Sequence, residues 1–167
     1  MIVWPPDPGW SDKIVRSSAK GLRTLGESQR KHMEGTAEIG FFLFGDNEAR
    51  QGKGGQAKEL RGLANAYGIR TKKRPSLDDS AFWSDETYKT NIKMMSEDFL
   101  EVFMETQRLS KLNPVLYIPR DGIGTGMAQL KSRAPKTYKW LKTFLDNLIR
   151  TGDERDVKDN IKKWRMK

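Results

Sequence analysis

Two glycine-rich segments contain the residue types that could bind an anion. The first, Gly52–Gln56, follows the pair Asp46-Asn47, and the second, Gly122–Gly126, follows a short apolar run. Glycine lets the backbone approach a ligand closely and adopt positive φ, and the free N–H groups at the start of a helix favour an anion. Two such loops side by side would hold the two phosphates of a diphosphate from opposite sides.

The residues expected to contact this ligand belong to the two loops and to the aspartate before the first one. They are Asp46, Gly52, Gly54, Gly55, Gln56, Gly122, Ile123, Gly124, Thr125 and Gly126. Ligand binding is expected to be lost when a bulky residue replaces Gly124. The alternative interpretation is that the glycines only mark tight turns.

Neither loop matches a common nucleotide-binding motif. The pattern GxxxxGK[ST] is absent, and neither loop is a GxGxxG followed by the acidic residue of a dinucleotide fold. A conventional nucleoside triphosphatase or dehydrogenase is therefore not expected.

The composition restricts the chemistry further. The chain has no cysteine and one histidine, His32, which excludes disulfides, zinc ribbons, iron–sulfur clusters and cysteine nucleophiles. Catalysis would have to use carboxylates, lysines, hydroxyls, amides or bound water, and no metal or cofactor is implied.

The charge favours a polyanionic partner. Thirty-one lysines and arginines against 22 aspartates and glutamates give a net charge of +9, which is typical of proteins that bind nucleotides, DNA or RNA. Solvated helix faces are the alternative explanation for each basic cluster.

No apolar run is long enough for a membrane helix and the N-terminus lacks a signal peptide pattern, so we expect a cytoplasmic protein without a membrane partner. The small size and basic ends suit a viral or mobile-element protein.

The elements that must position the two loops alternate along the chain. The apolar run from Ile39 to Phe44 and the run Val115–Ile118 predict buried strands, and one glycine loop follows each of them. Apolar periodicity predicts an amphipathic helix over 86–109 and another from Pro135. This order predicts an α/β fold with a mixed, largely parallel sheet, helices on both faces, and a ligand site at the carboxyl ends of the strands.

The remaining segments are less regular. QAKELRGLANAYG, from Gln56 to Gly68, predicts a short helix, and Ile69–Lys72 a short strand. We expect an accessory segment over 1–36, one α/β domain over 37–150, and a charged helix or tail over 151–167. The sequence does not indicate an oligomeric state.

Four motifs together resemble a known family. Asn47, then GKGGQAKEL, IRTKKRP and YIPRDGIGTGMAQL, are similar in type and order to the macro domain, the ADP-ribose-binding fold. The similarity is greatest to the branch of DNA ADP-ribosyl glycohydrolase antitoxins and hydrolases of terminal ADP-ribose. It covers roughly residues 39–148 and implies a three-layer macro-like domain.

The resemblance also implies roles for individual residues. Asn47 would face the distal ribose, Gly54 and Gly55 would contact the diphosphate, and the loop Gly124–Gly126 would close over the phosphates. Lys72 matches the lysine that this branch uses at the anomeric carbon of the distal ribose, where it would act as a nucleophile or stabilise negative charge.

One departure from the family bears on catalysis. Some relatives carry an aspartate just after the second glycine loop, where this chain has Met127-Ala128. Asp121 and Asp46 are nearby substitutes, although loop aspartates more often cap helices or turns. We therefore expect a protein that binds ADP-ribose or a related nucleotide and, if the site is catalytic, hydrolyses ADP-ribose from a macromolecule such as DNA or RNA. The alternatives are a non-catalytic nucleotide-sequestering protein and a basic adaptor with a vestigial cleft.

Overall fold

The computed structural model describes residues 2–4, 39–54, 57–119, 122–126 and 128–151. Four strands lie within these ranges: β1 (Ile2–Trp4), β2 (Ile39–Asn47), β3 (Ala66–Lys72) and β4 (Pro114–Tyr117). The α-helices are α1 (Ala57–Leu60), α2 (Tyr88–Arg108), α3 (Leu130–Arg133) and α4 (Pro135–Thr151). Three 3-10 turns, Asp79–Ala81, Asp85–Thr87 and Ser110–Leu112, connect them.

The four described strands form one sheet in the order β1-β4-β2-β3. Each neighbouring pair is parallel, which confirms the predicted α/β class. The carboxyl ends of parallel strands meet at one edge of the sheet, and this edge is where a ligand site is expected. The segments that follow β2, β3 and β4 therefore come together there.

Strand β2 lies in the middle of the sheet and is buried on both faces. Phe41 and Leu43 point into the larger core, and Phe42 and Phe44 into a smaller one. Residues alternate between the faces of a strand, so a continuous apolar run needs cover on both sides. Helices α2 and α4 contribute to the larger core, and α1 contributes to the smaller one, which places helices on both faces of the sheet.

Aromatic side chains join α2 to α4. The ring centroids of Phe99 and Phe144 are 4.3 Å apart, and those of Phe103 and Phe144 are 6.4 Å apart. All three side chains are buried. The helix predicted over 86–109 is confirmed as α2, and its packing gives the site a rigid support beside β3.

The segment between the first glycine loop and β3 is less helical than its sequence indicates. Among its described residues only Ala57–Leu60 are α-helical, and β3 begins at Ala66 rather than Ile69. Gly62 adopts φ +88°, which ends the helix. Asn65 then ties the chain to β2, because its side-chain amide donates to the carbonyl of Gly40 at 2.7 Å.

Strand β1 belongs to the segment that was expected to be accessory. It pairs with β4 and forms one edge of the sheet. Residues 5–36 of that segment, and 152–167 of the expected tail, lie outside the described residues. Within the described ranges, no helix combines the length and the apolar character that crossing a membrane requires.

Candidate ligand-binding site

A cavity of about 480 Å³ opens at the carboxyl ends of the strands. Four stretches line it: the end of β2 with the first glycine loop, the end of β3, the turn Pro75–Leu77, and the second glycine loop. Two residues of the segment after the first loop, Ala57 and Arg61, complete the wall. The volume falls within the range of roughly 300–1,000 Å³ that is usual for small-molecule sites.

Most of the residues selected from the sequence meet in this cavity. Its lining includes Asp46, Asn47, Gly52, Gly54, Lys72, Gly124, Thr125 and Gly126. Gly122 and Ile123 instead line a smaller cavity of about 200 Å³ between the second loop and α4, to which Thr125 also contributes. Gly55, Gln56 and Asp121 lie outside the described residues.

The side chain of Asn47 closes the turn of the first loop. Its amide nitrogen donates to the carbonyl of Gln51 at 2.7 Å, and its amide oxygen accepts from the Gln51 N–H at 3.5 Å. These contacts resemble a backbone turn made by a side chain. Asn47 therefore shapes the loop in addition to lining the cavity.

Arg61 determines which way two peptide groups at the start of the first loop point. Its guanidinium donates to the carbonyl of Gly52 at 2.6 Å and to that of Gln51 at 3.1 Å. The C=O and N–H of a trans peptide point in opposite directions, so the N–H groups of Gly52 and Lys53 face away from Arg61. Within the described part of the chain, the N–H groups of Gly52, Lys53 and Gly54 donate no hydrogen bond. Successive backbone N–H groups of this kind favour an anion.

The buried carboxylate of Asp46 is fully engaged. It accepts hydrogen bonds from the Asn47 N–H at 2.8 Å and from Arg50 at 3.1 Å, and it forms an ion pair with Arg61. It is the one carboxylate among the described residues that line the cavity. These three contacts occupy the carboxylate oxygens, which leaves little room for a substrate and argues against the suggested substitution of Asp46 for the missing family aspartate.

Arg50 supports the first loop from outside the cavity. Its guanidinium contacts the carbonyl of Gly68 at 2.7 Å and the carboxylate of Asp98 on α2 at 2.6 Å, in addition to Asp46. Its backbone has φ +54°, a left-handed conformation that costs a residue with a side chain about 1–2 kcal/mol. Arg50 is thus held in a strained position by its side-chain contacts.

Lys72 reaches the cavity through an irregularity in the sheet. Asp46 pairs with Arg70 but Asn47 pairs with Lys72, so the register shifts by one residue at the end of β2. Such bulges redirect side chains, and here both Thr71 and Lys72 line the cavity.

The ammonium group of Lys72 is buried and surrounded by polar and aromatic groups. It donates to the carbonyl of Ser76 at 2.7 Å and lies 4.2 Å from the ring centroid of Phe82. Burial lowers the pKa of Lys72 below its usual value, and the nearby cations of Arg133 and Arg74 lower it further. A lysine with a lowered pKa has a larger neutral fraction, which is the nucleophilic form.

Two glycines of the second loop differ in the space around them. A Cβ on Gly124 would lie 3.0 Å from the side chain of Leu130 and 3.3 Å from that of Thr71, and its φ of +78° disfavours other residues. A Cβ on Gly126 would have no atom within 4 Å. Replacing Gly124 would therefore disturb packing, and Gly126 is the better position for testing the cavity.

The charged residues that hold the first loop in place were not selected from the sequence: they are Arg50, Arg61 and Asp98. The sequence indicates a site role for Arg61 only weakly. Arg61 lies four residues after Ala57, and this spacing places two side chains on the same side of a helical turn. The sequence indicates more clearly that Asp98 has a buried partner, because Asp98 lies next to Phe99 on the buried face of α2. A charged residue on an apolar face requires a buried partner.

Comparison with protein families gives one match, to the model of a family of unknown function, DUF7831, over residues 26–144. This range is more than half of the chain. The chain belongs to DUF7831. No curated protein and no solved structure matches it.

The DUF7831 match covers the whole described lining of the cavity, from Gly45 to Ala128. It also includes Arg50 and Asp98, which support the first loop. The site is therefore built from the part of the chain that represents the family, with backbone donors and the cations of Lys53, Arg61 and Lys72 arranged around one cavity.

Proposed function

We propose that this protein binds ADP-ribose, or a related nucleotide diphosphate, in the cavity at the carboxyl ends of the strands. The observation that carries this proposal is that both glycine-rich loops line the same cavity. The first loop offers the backbone N–H groups of Gly52, Lys53 and Gly54, and the second loop faces it with Gly124–Gly126. The diphosphate would lie between them.

The charge of the lining supports an anionic ligand. Lys53 and Lys72 contribute positive charge to the cavity, while the negative charge of Asp46 is compensated by Arg50 and Arg61. A diphosphate placed there meets attractive charge without an opposing free carboxylate among the described residues. Pro75 and Leu77, on the wall formed by the turn after β3, offer apolar contact to a sugar or base.

Calorimetric titration with ADP-ribose tests the proposal, with ADP and NAD as comparators. Gly126→Leu should abolish binding because its side chain enters open space in the cavity without a clash at its Cβ. Gly126→Ala is the matched control, since it removes the same glycine but adds little volume, and it should bind within a few fold of wild type. The proposal fails if wild type binds none of the three ligands, or if Gly126→Leu binds like wild type.

Lys72 favours a second, catalytic function. We propose that the protein hydrolyses ADP-ribose from a modified macromolecule, with Lys72 acting as a nucleophile or stabilising charge at the anomeric carbon. The lowered pKa and the position in the cavity support this role. The net charge of +9 favours DNA or RNA as that macromolecule.

Release of ADP-ribose from modified DNA and from modified protein tests the catalytic function. Lys72→Ala should stop the release while ADP-ribose still binds. A wild-type protein that binds ADP-ribose but releases none from either substrate would instead be a nucleotide-sequestering protein. Binding of unmodified DNA that depends steeply on salt and survives Gly126→Leu would support the adaptor alternative.

A further inference from the structure

Arg50 connects three elements without lining the cavity. Its guanidinium contacts Asp46 at the end of β2, the carbonyl of Gly68 in β3 and Asp98 in α2, at 3.1, 2.7 and 2.6 Å. It stands two residues before Gly52, in the turn that leads into the first loop. Its contacts therefore fix the position of the chain that leads into Gly52.

The backbone conformation of Arg50 is unusual for a residue with a side chain. The residue has a left-handed φ of +54°, which glycine adopts without strain and arginine does not. A glycine would suit this turn better if the turn alone mattered. Only a side chain with several donors can contact two carboxylates and a carbonyl together.

Asp98, the partner of Arg50 on α2, is itself fixed by further hydrogen bonds. It is buried, and it accepts the backbone N–H of Arg70 at 2.8 Å and the Arg70 side chain at 3.1 Å. It extends from α2, whose neighbouring residues Phe99 and Val102 lie in the larger core. Arg50 is thus anchored to the most extensively packed helix of the described fold.

We propose that Arg50 and Asp98 are positioning residues that hold Gly52–Gly54, the described part of the first loop, in its ligand-binding conformation. The inference rests on the proposed nucleotide-binding function, because the loop matters only if it holds an anion. The two residues act through the loop and contact no ligand themselves. Without them Gly52–Gly54 would become mobile, and a ligand would have to order this part of the loop on binding.

Arg50→Gly is the informative variant, because it removes the guanidinium and also relieves the left-handed strain. The control Arg108→Ala removes one positive charge from an exposed position of α2 that pairs with Glu105 outside the cavity. ADP-ribose affinity should fall about tenfold or more in Arg50→Gly, because the ligand would then have to order the loop on binding. It should change less than twofold in Arg108→Ala. Both variants should still unfold cooperatively in urea, which checks that each is folded under the conditions of the binding measurement.

NMR relaxation of the Gly52 and Gly54 amides gives a readout that does not depend on a ligand. Their order parameters should be close to about 0.85 in wild type and fall below about 0.6 in Arg50→Gly, while those of β2 stay unchanged. If wild type binds no nucleotide, the proposed function fails, but these order parameters still decide whether Arg50 orders the loop. Unchanged order parameters in Arg50→Gly would overturn the inference, as would loss of order throughout the sheet.

Asp98→Asn provides a second test through its coupling to Arg50. Alone, it should lower ADP-ribose affinity and loosen the Gly52 and Gly54 amides in the same direction as Arg50→Gly. Combined with Arg50→Gly it should add little to either effect, since two residues of one connection are not independent. Fully additive losses of affinity would show that the two residues act separately and would overturn the inference.

Discussion

At the scale of single residues, the negative and positive groups of the cavity differ in how they are paired. Asp46 carries the negative charge and is saturated by arginines, whereas Lys72 is buried with a lowered pKa and a carbonyl as its hydrogen-bond partner. The described lining therefore keeps the positive charge of Lys53 and Lys72 without a free carboxylate to offset it. A neutral ligand would gain little from these cations, whereas a diphosphate would be attracted by them.

The lowered pKa of Lys72 predicts how stability depends on alkaline pH. Between the lowered pKa and 10.5, the unfolded chain binds more protons at this residue than the folded protein, so stability should rise with pH in this window. Below the window both states are protonated and the penalty is constant. Lys72→Met should remove this rise when urea unfolding is measured at several pH values.

The exposed lysine Lys139 on α4 provides the control for this measurement. Lys139→Met should keep the wild-type dependence on pH, because the rise belongs to the buried ammonium group of Lys72. A Lys72→Met protein with the same slope as wild type would show that burial of this lysine does not perturb its titration.

Site residues that belong to short motifs could be predicted from the sequence, and their partners far along the chain could not. The two glycine loops, Asn47 and Lys72 were selected from short motifs, and the described members of this set other than Gly122 and Ile123 line one cavity. Arg50 and Asp98 are 48 positions apart, and nothing in the sequence indicates that they form an ion pair. Contacts of this kind depend on how helices pack on the sheet, which local patterns do not encode.

At the scale of elements, one face of α2 both packs into the core and supports the first loop. Phe99, Val102 and Phe103 fill the larger core, and Asp98 extends from the edge of the same face toward β3 and the first loop. Any substitution that tilts α2 would therefore also move Asp98. Core packing and loop geometry are mechanically linked through this helix.

Neighbouring positions on α2 should differ sharply in their effect on stability. Phe103 is fully buried and Met104 is 65% exposed. Phe103→Ala should lower the free energy of unfolding by about 3–5 kcal/mol because it leaves a cavity in the core. Met104→Ala should change it by no more than about 0.5 kcal/mol, and urea unfolding would measure both. Equal effects would contradict the orientation of α2 described here.

Elements with strong periodicity were predictable, and short or irregular ones were not. The apolar run of β2 and the stripes of α2 and α4 specify both type and position, because burial requires those patterns. The early start of β3 depends on Asn65 bonding to Gly40, which is a tertiary contact. Strand β1 has only three residues, too few to show a pattern.

At the scale of the whole molecule, a ligand held between two loops and the strand ends should stabilise the folded state. At a concentration of 100 times its dissociation constant, a ligand contributes about 2.7 kcal/mol. For a chain of this size, that corresponds to a rise in Tm of about 5–10 °C. Thermal unfolding with and without ADP-ribose would measure it, and Gly126→Leu should show no rise. A wild-type Tm unaffected by saturating ADP-ribose would contradict the proposed function.

The close approach of β3 to the Asp46–Arg50 pair limits how the family can diverge. A Cβ on Gly68 would lie 2.4 Å from a carboxylate oxygen of Asp46 and 2.9 Å from a guanidinium nitrogen of Arg50. No side chain fits at position 68 while that pair is present. Positions 46, 50 and 68 should therefore be inherited as a set, and a relative with a larger residue at 68 should have lost the aspartate–arginine pair and shaped its first loop by other means.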